Sequence, residues 1–94
     1  MSQITRIINE TNHSIIAKPC LPVIPIMIFD QKCQLQFILP PDELAVIFKI
    51  NVNKNKQTAI YNIISGNSYI IRQCPPSNKL VIIDVDNPVN NILN

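Results

Sequence analysis

The chain has a single glycine, Gly66, no tryptophan and one histidine, His13. One glycine cannot build the loop that cradles phosphates, which excludes nucleotide chemistry of that kind. A lone histidine in a polar stretch gives no local support to a Ser-His-Asp or Cys-His arrangement. Cys20, Cys33 and Cys74 are three, so they cannot all pair within the chain. No two of them stand close enough in sequence for a zinc site. Cys20 lies between prolines and Cys74 precedes Pro75, and neither setting activates a thiol. Charge is scarce as well: 15% of residues, with a net charge of +2. That is too little to argue for nucleic acid or an anionic membrane.

Long apolar runs are also missing. The best, Leu21–Phe29, is short and interrupted by Pro22 and Pro25, so no transmembrane helix is expected. The opening MSQITRIINETNHS has no apolar core of a secretory signal. A cytoplasmic location follows as the expectation, with reduced, partly buried thiols. Asn9-Glu10-Thr11 and Asn12-His13-Ser14 fit the glycosylation sequon, and in that compartment both stay unmodified.

What the chain does have is aliphatic material. Hydrophobic residues make up 47% of its 94 residues, and nineteen of them are isoleucine. The length suits one domain spanning 1–94, with 87–94 expected to fray. A domain this small buries roughly two-thirds of its unfolded surface. The aliphatic content exceeds what one such core needs, which points to cover by a partner subunit.

Strand signals recur along the chain. Gln3–Asn9 and Ser14–Lys18 are short β-prone pieces around a polar turn, either a hairpin or one kinked edge strand. Pro19, Pro22 and Pro25 follow at a spacing of three, the pattern of a polyproline-like crossover or a blunted edge. Ile26–Asp30 is a compact apolar strand. In Cys33–Leu39, Cys33, Leu35 and Phe37 alternate with Gln34 and Gln36, the cleanest sign of one face in and one out. Pro40-Pro41-Asp42-Glu43 breaks the chain and suits a short helical turn. In Leu44–Asn53, Val46, Phe48, Ile50 and Val52 share one face. Gln57–Cys74 reads as a hairpin about Gly66-Asn67, because both residues tolerate the positive φ of primed turns. That register sets Tyr61 opposite Arg72 and Ile64 opposite Tyr69. Lys79–Asp86 is the last strand, and its Leu80-Val81-Ile82-Ile83 run is typical of a strand covered on both faces.

Seven or eight short antiparallel strands predict an all-β fold, a small immunoglobulin-like β-sandwich; a small OB-type barrel is the alternative. No enzyme activity and no cofactor are expected. Asp84 and Asp86 share a strand face and are the only candidate metal ligands, but one carboxylate pair falls short of the roughly six oxygens calcium takes. Lys54 and Lys56 near a hairpin tip, with Tyr61 beside Arg72, are candidates for holding single-stranded nucleic acid or a carbohydrate. The leading expectation is a protein–protein interaction or structural domain that self-associates into a homo-oligomer. Val81 and Ile83, with Val23 and Ile24, are its candidate contact residues.

Overall fold

The computed structural model describes residues 3–52, 58–74 and 79–86. The expected tail 87–94, and Lys54 and Lys56, lie outside them. The described residues form eight strands in two four-stranded sheets and no helix. They are β1 (Ile4–Asn9), β2 (Ile15–Pro19), β3 (Met27–Phe29), β4 (Gln34–Ile38), β5 (Ala45–Val52), β6 (Thr58–Ile64), β7 (Ser68–Cys74) and β8 (Lys79–Asp84). One sheet runs β4-β1-β7-β8 and the other β3-β2-β5-β6. All pairs are antiparallel except β1 with β7, which run parallel, a correction to the all-antiparallel expectation.

Alternation decides what goes inside. Val46, Phe48, Ile50 and Val52 of β5 are all buried, as their period of two requires. Opposite them lie Ile7 of β1, Tyr69 and Ile71 of β7, and Leu80 and Ile82 of β8. Each fully buried aliphatic or aromatic side chain contributes about 1.5–3 kcal/mol of transfer free energy. Two aromatic pairs stitch the layers together. Phe37 of β4 meets Phe48 of β5 with ring centroids 5.6 Å apart, and Tyr61 of β6 meets Tyr69 of β7 edge-on, also at 5.6 Å. Such pairs add about 0.5–1.5 kcal/mol beyond their area.

The expected hairpin over Gln57–Cys74 does not form. β6 pairs with β5 and β7 with β1 and β8, so the two strands belong to different sheets. The hydrogen bonds show why. The Asn67 N–H donates to the Ile64 carbonyl at 3.1 Å, closing a turn whose central residues are Ser65 and Gly66. Gly66 has φ +86°, which the third position of a type II turn needs. On one side the Ser65 N–H donates to the Leu44 carbonyl and continues the pairing with β5. On the other, the Gly66 N–H donates to Thr5 Oγ1 at 2.9 Å and the Arg6 N–H to the Asn67 carbonyl at 3.2 Å. The corner therefore passes the chain from pairing with β5 to pairing with β1, which lies beside β7 in place of β6.

Other joints resolve similarly. β1 and β2 are neither a hairpin nor one bent strand, since they too lie in different sheets. The proline segment is no crossover: it links β2 and β3, neighbours in one sheet. Its Leu21 and Ile24 pack against the core. Pro40–Glu43 is a β-turn, with the Glu43 N–H donating to the Pro40 carbonyl at 2.9 Å. Asp30–Cys33 is another, and Lys32 takes its positive-φ position at 62° although it is not glycine.

Candidate functional site

The residues singled out in the sequence do not converge. Tyr61 lies on β6 against Tyr69, while Arg72 stands on the outer face of the other sheet, where its Nε meets Glu10 Oε1 at 2.7 Å. The expected Tyr61–Arg72 pair is thus absent, because its register depended on the hairpin that does not form. Val81 and Ile83 are half-buried on the outer face of β8, opposite Arg72 and Ile70. Val23 is 71% exposed and Ile24 partly buried, in the β2–β3 connection. β8 lies across the layers from β6, and β3 is the strand farthest from β6 in its own sheet. The two halves of the expected contact surface therefore sit at opposite edges of the sandwich.

Asp84 and Asp86 serve the fold. Asp84 is buried; its Oδ1 accepts the Asp86 N–H at 3.0 Å and its Oδ2 the Asn67 side-chain amide at 3.3 Å. Asp86 Oδ2 accepts the Ser68 N–H at 2.8 Å. Both carboxylates thus tie the end of β8 to the β6–β7 corner. They do not share a strand face as expected, since β8 ends at Asp84. No cluster of three or more potential metal ligands occurs among the described residues. Cys20, Cys33 and Cys74 are free thiols, and they are exposed rather than partly buried. No helix long and apolar enough to cross a membrane occurs among the described residues.

Between the layers, Tyr69 is fully buried and its hydroxyl accepts the Ile64 N–H at 2.8 Å. Burial, foremost, pushes its pKa up to about 12, against the lowering effect of that N–H and with the negative charge of Asp84 adding to the rise. Tyr61 is raised in the same direction by burial and then by Asp84. A raised tyrosine pKa means the folded state holds the proton that the unfolded chain gives up near pH 10. Stability is therefore full below pH 10 and falls as pH climbs from 10 towards 12, by up to roughly 2–3 kcal/mol. Urea melts at intervals across that range should show the slope in the wild type. Tyr69→Phe should flatten it, while losing about 1 kcal/mol at neutral pH through the orphaned Ile64 N–H. An equal alkaline slope in both proteins would place the titration elsewhere.

What sequence reasoning missed is the outer face of the β3-β2-β5-β6 sheet. Ile28 (67% exposed), Ile60 (65%), Ile47 and Ile64 all point to solvent there, and Leu44 beside them is 82% exposed. Ile47 stands opposite Asn62, so Ile60 and Ile64 flank it diagonally and the three form one apolar patch with Ala45. The signal was present in Thr58–Ile64, where isoleucine occurs on both parities of the strand. An alternating reading assigns one parity to the core and leaves the other unexamined.

Set beside models of protein families, curated proteins and solved structures, the chain matches none of them.

Proposed function

We propose that this chain is a non-enzymatic, self-associating domain whose working form is a homo-oligomer. The observation that supports it is the set of isoleucines left in water on the outer face of one sheet, with Ile47, Ile60 and Ile64 contiguous. Contiguous exposed aliphatic patches on a small domain mark interaction surfaces. The immunoglobulin-like reading of the sandwich draws support from Tyr69. Its hydroxyl returns to the backbone five residues upstream at a corner between sheets, as the tyrosine corner of those domains does.

Light scattering of the pure protein tests the reading, with a mass at a multiple of 10.6 kDa as the expected result. Val81→Lys combined with Ile83→Lys assigns the surface. A folded double variant of reduced mass places association on the β8 face; an unchanged mass leaves it to the sheet carrying Ile60. A wild-type mass of 10.6 kDa at every concentration contradicts self-association.

A further inference from the structure

We propose that a second copy of this chain is recruited through the free edge of β6, the two β6 strands pairing antiparallel about a two-fold axis at Ile60. This rests on the self-association reading above and specifies its partner and geometry. Four strands end the two sheets: β4, β8, β3 and β6. Proteins guard such edges with short length, proline or charge. β3 has three residues and follows Pro25 closely; β8 begins at Lys79 and ends at Asp84; β4 has five residues and is soon followed by Pro40 and Pro41. β6 has seven residues, TAIYNII, with neither proline nor a charged side chain. It is the longest of the four edges and carries neither guard within it, although Lys56 precedes it in sequence and β8 of the other sheet comes within 8 Å of it at Cα.

Which of its backbone groups face outward follows from the pairing with β5. The Ser65 N–H donates to the Leu44 carbonyl, and antiparallel bonding alternates, so the odd residues of β6 address β5. The even residues turn their N–H and C=O away from the sheet. The Ile64 N–H is taken by the Tyr69 hydroxyl and its carbonyl by the Asn67 N–H. Thr58, Ile60 and Asn62 remain, with their edge groups unmatched among the described residues.

These three residues are self-complementary. An axis at Ile60 places Ile60 opposite Ile60 of the second copy, and Thr58 opposite its Asn62, in both directions. Each of the three pairs exchanges two bonds, so about six hydrogen bonds close the seam. The outward side chains keep their parity, so the exposed Ile60 of each copy covers the other and the two apolar patches become continuous. No charge meets a like charge across the axis, because β6 has none. A register moved by two residues towards the C-terminus would instead call on Ile64, whose groups are committed, and one moved the other way would bond only Thr58 with Ile60 within β6 and leave Asn62 without a β6 partner.

The test is Ile60→Lys in the full chain, followed by sedimentation velocity over a range of concentrations. Ile60 is exposed in the single chain and stands opposite the exposed Lys49, so lysine there meets one solvated like charge at small cost and circular dichroism should be unchanged; in the pair, a second ammonium-bearing side chain faces it across the axis. The wild type should sediment as a dimer and the variant should associate about 100-fold more weakly. A second variant fixes the register. In a chain whose three exposed cysteines are serine, Ile60→Cys should form a covalent dimer under mild oxidation, since directly bonded antiparallel neighbours lie about 5.5 Å apart at Cα. Asn62→Cys in that background should not, because its counterpart is Thr58. A dimer that Ile60→Lys leaves intact, or cross-linking equal at both positions, would overturn the β6 pairing and leave self-association standing. A monomeric wild type would overturn both, and leave the edge to a strand of another protein.

Discussion

Asn9→Ala should be the most damaging single substitution outside the apolar core, costing about 3–5 kcal/mol. Asn9 is fully buried. Its amide nitrogen lies 2.8 Å from the His13 carbonyl, 3.0 Å from that of Asp30 and 3.3 Å from that of Phe29. Its Oδ1 accepts the Thr11 N–H at 2.9 Å and sits 2.7 Å from the Thr11 hydroxyl. The backbone of the same residue donates to the Cys33 carbonyl at 2.9 Å and accepts the Lys32 N–H at 2.7 Å. One side chain thus joins the β1–β2 corner to the β3–β4 turn. Alanine keeps the backbone bonds and abandons the rest: the buried Thr11 N–H loses its acceptor, the Phe29 carbonyl loses the amide, and the His13 and Asp30 carbonyls keep only the Thr11 hydroxyl and the Cys33 N–H. In a domain of this size the melting temperature should fall by roughly 15–30 °C. The exposed Asn12, in the neighbouring sequon, is the control: Asn12→Ala should stay within about 0.5 kcal/mol of wild type. Urea unfolding of both variants measures the contrast, and a cost below about 1 kcal/mol for Asn9→Ala would show that the joint holds without this side chain.

Gly66→Val should cost about 2–3 kcal/mol. At φ +86° a β-branched side chain collides with its own backbone, and the added Cβ would run into the Gln3 side chain. The two causes separate by experiment. Gln3 is exposed and its side chain has room to swing aside, so Gln3→Ala should not rescue the valine variant. Gly66→Asn should cost less than valine, since asparagine tolerates the left-handed region. Rescue by Gln3→Ala would assign the cost to the collision. Wild-type stability of Gly66→Val would place the turn elsewhere.

Strand positions were legible because local alternation reports them. The inward set of β5 is the four residues that its sequence period selects, and Leu35 and Phe37 face the core while Gln34 and Gln36 do not. Pairing was not legible at the Ser65–Asn67 corner. A glycine turn between two apolar strands reads the same whether the second strand folds back or crosses to the other layer. The choice is made by Thr5 and Arg6, about sixty residues away in sequence, whose bonds to Gly66 and Asn67 no local pattern announces. Asn9 was hidden for the same reason, since the carbonyls of Phe29 and Asp30 reach it only after β3 is in place. The scattering of the candidate ligand residues follows directly: Tyr61 and Arg72 were neighbours only in the hairpin register. The surplus of isoleucine was legible as a quantity, and its place on the outer face of β5 and β6 needed the sheet order.

Amide hydrogen exchange of Ile60, followed residue by residue at low and high protein concentration, tests the central claim most directly. An outward N–H on an open sheet edge exchanges freely, whereas one bonded across a two-fold seam is protected. Paired β6 edges predict that the Thr58, Ile60 and Asn62 amides become protected together as concentration rises, while the β5-bonded amides of Ala59 and Ile63 are protected throughout. Fast exchange at Ile60 at every concentration, in a protein that scattering shows to be assembled, would contradict it.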